Sequence, residues 1–198
     1  MLVKKTIKII ITLIIFLFFT QNSYSQNPKE FVAEITGSAS KILIKNLDKS
    51  KKIKQLRELA ERSVDIKGVG RYSLGKHRKN ITDEQFIEYE KLFEEYFLKS
   101  FSSRLSEYTD PKINIVGQEI LNTKYTIVSS ILIADKERPE IKIDWRVYTK
   151  DPTKPLIRDV IIEGLSLART QREEFNSVIQ SNDGNIEALF NNLRKFIK

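Results

Sequence analysis

Few side chains in this sequence are of a type that does covalent chemistry, and their spacing does not favour it. The single histidine, His77, lies among Lys76, Arg78 and Lys79 in a polar connection, where a solvated loop residue is expected rather than a general base. The serines form no nucleophile-elbow pattern, and a Ser-His-Asp arrangement would have to use that one exposed histidine. There is no cysteine, so neither thiol chemistry nor a disulfide is available. Only carboxylates remain as metal donors, and no loop clusters them, so neither a metal nor another cofactor is expected. Gly68, Gly70 and Gly75 do not have G-x-G-x-x-G spacing, and a helical pattern rather than a strand precedes them. Asp159 and Glu163 are placed on one strand face. They read better as carboxylates tied to Arg158, Arg169 or backbone donors at a sheet edge than as an acid/base pair. Nothing here calls for an enzyme.

The N-terminus bounds the compartment. Lys4, Lys5 and Lys8 precede an apolar run from Ile9 to Phe19, broken only by Thr12. A run of about eleven residues fits the core of a secretory leader and falls short of the roughly 20 that span a bilayer. Ser23-Tyr24-Ser25 offers small residues at the two positions a signal peptidase reads, which places the cut before Gln26. Residues 1–25 are thus read as a signal peptide, and the mature chain as soluble in the periplasm. Loss of the leader leaves 31 basic against 26 acidic side chains, a net +5. That mild excess suits an anionic membrane as well as nucleic acid, and secretion disfavours nucleic acid. About 173 residues suffice for one domain, 26–198, with its own core.

The elements follow from periodicity. Pro28 to Lys45 reads as a helix. Asp48 caps a second one through Val64, and Asp65 a third that stops at Gly75. Thr82-Asp83-Glu84-Gln85 is a capping box. From it Phe86, Tyr89, Phe93, Phe97, Phe101, Leu105 and Tyr108 recur at helical spacing over roughly six turns. After Asp110-Pro111 the pattern shifts to strands at Lys112–Leu121, Tyr125–Ala134, Ile141–Thr149 and Leu156–Glu163. In the third, Ile141, Ile143, Trp145 and Val147 face one way. The short connections (122–124, 135–140 and 150–155) make an antiparallel meander. Helices at Leu167–Gln180 and Asn185–Ile197 complete an α+β domain with helices packed on one face of a four-stranded sheet. The long helix also carries Ile87, Leu92 and Tyr96 beside its aromatic stripe, so it is apolar on more than one side. Periodicity alone does not separate a flanking helix from a cavity on that second side.

Four blocks carry a family likeness: Gly70-Arg71-Tyr72-Ser73-Leu74-Gly75; the capping box with the Phe-rich spacing from Thr82 to Leu105; Ile143-Asp144-Trp145-Arg146; and Arg158-Asp159-Val160-Ile161-Ile162-Glu163-Gly164-Leu165-Ser166-Leu167, which runs on into Thr170 to Phe175. In order and over nearly the whole mature chain, they resemble the MlaC family. Its members are the soluble periplasmic component of a phospholipid-trafficking ABC system, also called toluene-tolerance auxiliary proteins. His77 departs from the family, which often has an aromatic residue there.

The resemblance implies a twisted antiparallel sheet with helices around a deep apolar pocket that takes acyl chains and leaves the headgroup at its mouth. It implies phospholipid as ligand, with an outer-membrane Mla lipoprotein complex and an inner-membrane Mla ABC transporter complex as partners, in maintaining outer-membrane lipid asymmetry. Tyr72, Leu74, Phe93, Phe97 and Phe101 are the expected pocket residues from helices. Ile143, Trp145, Val147, Ile162 and Leu165 are those from the sheet and its exit. Each is equally a plain core position. Leu165 stands out, because it follows Glu163-Gly164, where strand gives way to helix and the backbone can open. Arg71, Lys76 and Arg78 suit phosphate or membrane, and a solvated basic face accounts for them equally well. Two alternatives stay open: a periplasmic lipid hydrolase, which needs a nucleophile and base, and a protein-binding role, as a chaperone for acyl groups of lipoproteins or a structural subunit of the transporter.

Overall fold

Each α-helix among the described residues starts at a side chain that satisfies one of its orphan backbone donors. A computed structural model describes residues 26–134 and 139–198. The expected leader, and residues 135–138 of the expected connection 135–140, lie outside the described residues. Asn27 caps α1 (Pro28–Ile44), Asp48 caps α2 (Lys49–Ser63) and Asp65 caps α3 (Ile66–Leu74). Thr82 opens α4 (Asp83–Leu105) with both hydrogen bonds of the capping box. Ser166 caps α5 (Leu167–Gln180), and Asn185 caps α6 (Ile186–Ile197). A 3-10 turn, Gly75–Asn80, joins α3 to α4. Gly75 has φ of +57°, so a residue without Cβ is needed at this junction.

The strands β1 (Ile113–Asn122), β2 (Tyr125–Leu132), β3 (Ile141–Tyr148), β4 (Leu156–Ile162) and β5 (Leu165–Ser166) form one antiparallel sheet in sequence order. There are five strands rather than the four expected. The extra one arises because Glu163 (φ +49°) and Gly164 (φ +82°) turn the chain in two residues and fold Leu165-Ser166 back onto β4. A two-residue strand has no periodicity to read. Helices also reach both sides of the sheet. α1 lays Phe31 and Val32 on Val128, Val147 and Ile157. The α2–α3 joint instead pairs with the edge of β4, through a parallel bridge from Val64 to Ile157, and brings α3 alongside the opposite face.

The apolar interior is divided. One cluster is helical, built on Leu74, Tyr89, Phe93, Phe175, Leu189 and Phe190 with their neighbours. A second joins α1 to the sheet, and a third joins α1 to α2. In the helical cluster the Tyr89 hydroxyl donates to the Gly70 carbonyl oxygen at 2.9 Å, and burial pushes the phenol's pKa well up. Gly70 is where α3 and α4 touch: a Cβ there would stand 2.7 Å from Cδ1 of Phe93, itself buried. Gly70→Val is therefore expected to cost about 2–3 kcal/mol. Overpacking outweighs the roughly 0.5 kcal/mol gained by removing a helical glycine. The denaturant midpoint, read by circular dichroism, checks this.

Candidate functional site

The strand register lines up a row of side chains, apolar except for Ser130, across the whole sheet. Ile115 pairs with Ser130, Ser130 with Ile143, Ile143 with Ile162, and Ile162 with Leu165. Directly opposed residues share a face, so these five form one row. Val128, Trp145 and Val160 form the next row, and Thr126, Val147 and Ile157 the third. The sheet residues expected to line a pocket, Ile143, Trp145, Val147, Ile162 and Leu165, therefore stand together on the face that carries α1.

Their burial is graded. Val147 lies under α1. Ile143 is buried, Ile162 is half-buried, and Leu165 at the edge is 59% exposed. None of the three core clusters includes Ile143, Ile162 or Leu165. Trp145 is half-buried, and its indole N–H donates to Ser130 Oγ at 2.9 Å, while Ser130 donates to the Ile143 carbonyl oxygen at 3.0 Å. With its one donor satisfied inside the sheet, the indole offers only apolar surface.

The helical residues divide. Phe93, Phe97 and Phe101 stack along α4, with ring centroids 6.2 Å and 5.8 Å apart. Phe93 is core, whereas Phe97 and Phe101 are only partly covered by the helical cluster. The main contacts of α4 are with α2, α3 and α6, and it makes none comparable with a strand. Leu74 is buried in the helical cluster. Tyr72, 41% exposed, points elsewhere, into a groove on the opposite face of the sheet.

That groove encloses about 840 Å³ between α3, the 3-10 turn, the start of α5 and the β2–β4 face that carries Tyr125, Arg146 and Asp159. Asp159 is buried and held three ways. Its Oδ1 accepts from the Ala168 backbone N–H at 3.0 Å. Its Oδ2 accepts from the Ser166 hydroxyl at 2.7 Å and pairs with Arg146 at 3.3 Å. Glu163, in the turn, instead accepts from the Lys142 backbone N–H. The two carboxylates are thus tied to backbone donors as expected, but Arg146 takes the place of Arg158 or Arg169. Arg158 pairs with Asp65 at 2.6 Å and stacks on Tyr148.

A model for the family described as MlaC protein matches residues 33–195. The chain belongs to the MlaC family. Among solved structures, the fold is similar to that of a phospholipid-binding protein from Ralstonia solanacearum, determined in complex with a phospholipid. The TM-score is 0.72 at 17% identity, covering 87% of this chain and 97% of that one. A search of curated proteins finds no match. Of the blocks that carried the likeness, Ile143 to Arg146 supplies both faces of β3. Arg158 to Leu167 supplies β4, the tight turn, β5 and the cap of α5.

One expectation about this MlaC chain is corrected. His77 is not a solvated loop residue: it is only 9% exposed, and its Nε2 lies 3.0 Å from Asn176 Oδ1 on α5. The 3-10 turn folds the ring inward while Lys76, Arg78 and Lys79 remain outside. Among the described residues, no group of three His, Asp or Glu side chains is placed to hold a metal ion. Nor does any described helix have the length and apolarity to cross a membrane. Sequence reasoning missed the groove itself. Lys76 to Lys79 was a visible signal, but Arg146, Arg158 and Arg172 join it only through the tertiary structure.

Proposed function

We propose that this chain is a periplasmic phospholipid carrier. Residues 1–25 direct its export, and residues 26–198 form a single lipid-binding domain. Acyl chains lie against Ile143, Trp145, Ile162 and Leu165 on the sheet and against Phe97 and Phe101 of α4, while the headgroup stays at the mouth. The carrier moves lipid between an outer-membrane Mla lipoprotein complex and an inner-membrane Mla ABC complex, and so maintains outer-membrane asymmetry.

The observation that carries this reading is the apolar row that no core cluster absorbs, Ile143–Ile162–Leu165. Apolar side chains facing a helical layer without joining its core are suited to an apolar ligand. Each CH₂ moved into water costs about 0.8 kcal/mol, so a diacyl lipid does not leave a bilayer unaided. A surface of comparable apolarity makes the exchange nearly isoenergetic, and binding energy then comes from the tails rather than the headgroup.

Native mass spectrometry of gently purified protein is expected to show one or more diacyl phospholipids with intact tails, removable by detergent. Protein that carries none and cannot be loaded from liposomes would end the carrier reading. A hydrolase would instead turn over a labelled phospholipid. The chain's single histidine is buried against Asn176, and no observation favours that alternative.

A further inference from the structure

The groove on the opposite sheet face is lined by eight cationic side chains and only two carboxylates. Both carboxylates are already used. Asp65 accepts from the Gly68 backbone N–H at 2.9 Å and pairs with Arg158. Asp159 is bound by Arg146, Ser166 and Ala168. Arg71 is paired outside the groove with Glu90 at 2.9 Å. Lys67, Lys76, Arg78, Lys79 and Arg172 remain, with no carboxylate at ion-pair distance among the described residues. Five uncompensated like charges around one concavity repel one another, and concave walls focus their field.

The cations are also positioned. Arg172 projects from α5 with its guanidinium 5.3 Å from the centre of the Tyr72 ring. Its Nε runs so close to Gly75 that a Cβ there would lie 2.8 Å away. The planar fork is thereby held between an aromatic face and a bare backbone, an arrangement suited to a tetrahedral oxyanion. Buried His77, bonded to Asn176, fastens the 3-10 turn to α5, so Lys76, Arg78 and Lys79 are presented from a fixed backbone.

We propose that this groove is a binding site for phosphate oxyanions, presented by anionic phospholipid headgroups at a membrane surface or by free phosphate. It lies on the face opposite the apolar row, so it serves a second contact rather than the seat of the carried lipid. Its failure would leave the carrier reading standing, because copurified lipid is a separate readout.

The test compares wild type with Lys76→Gln/Arg172→Gln and with a control of equal charge change, Lys54→Gln/Lys91→Gln, whose lysines are exposed outside the groove. Each protein is titrated with inorganic pyrophosphate by calorimetry. Each is also sedimented with vesicles of phosphatidylcholine, alone or mixed with phosphatidylglycerol. Wild type is expected to bind in at least one arm, and the groove variant to be weaker there by about 30-fold, at roughly fivefold per charge. The control should lose less than about threefold, since removing distant charge acts only through the screened field. Binding in the vesicle arm alone identifies the headgroup as the source, and binding in the pyrophosphate arm alone identifies free phosphate. No binding by wild type in either arm, or equal losses in groove variant and control, overturns the proposal.

Discussion

Leu165→Glu is expected to empty the protein of phospholipid while melting at the same temperature as delipidated wild type, since only the stabilisation supplied by bound lipid is lost. Leu165 is 59% exposed, so a carboxylate there can be hydrated in the folded state, and such substitutions usually move stability by no more than about 0.5 kcal/mol. The side chain nevertheless stands directly opposite Ile162, at the open end of the row that runs through Ile143. A lipid tail lying along that row would cover the carboxylate. Desolvating an unpaired charge costs several kcal/mol even after relaxation. At about 1.4 kcal/mol per decade, affinity falls by roughly 100-fold or more. The comparison is bound phospholipid per protein for wild type, Leu165→Glu and Ile87→Glu. Ile87 is an exposed apolar residue on α4 outside the aromatic stripe and should tolerate the change. A folded Leu165→Glu protein with a full load of lipid would remove the edge of the sheet from the binding surface.

Phe190→Ala should do the reverse. Phe190 is fully buried in the helical cluster, its ring 6.2 Å from that of Tyr89. Removing a ring from such a site costs the transfer energy and leaves a cavity, together about 3–5 kcal/mol. For a domain of this size the melting temperature should drop by roughly 10 °C. Because the cluster excludes the sheet row, the fraction that stays folded should still carry lipid. Lost lipid without lost stability would place Phe190 itself against the acyl chains. Differential scanning calorimetry on loaded and delipidated samples separates these results.

What was legible in the sequence is what local chemistry decides. The caps at Asp48, Asp65 and Thr82 were readable because each needs only a side chain and a nearby backbone N–H. Ile143, Trp145 and Val147 were assigned to one face by alternation alone, and the register agrees. Ile162 and Leu165 are three residues apart, an odd spacing that a straight strand would send to opposite faces. The turn at Glu163-Gly164 puts them side by side instead. Tyr72 and Leu74 are two apart on a helix, about 200° around its axis, so one enters the core while the other faces the groove. The inward fold of His77 depends on Asn176, 99 residues away, and no local pattern encodes such a contact.

The sheet also has two edges, and they are finished differently. At β4, the short β5 covers one end of the strand and the bridge from Val64 meets Ile157 near the other. Among the described residues β1 has no outer neighbour in the sheet order, and it carries exposed Val116, Ile120 and Leu121. An apolar edge of that kind would normally invite another chain to extend the sheet. Here the register slips between Ile115 and Gly117 and again between Ile120 and Asn122, so the strand is irregular at two points. Such interruptions spoil the even ladder that strand addition needs. The same strand that leaves apolar side chains in the open is thereby a poor template for self-association in a crowded compartment.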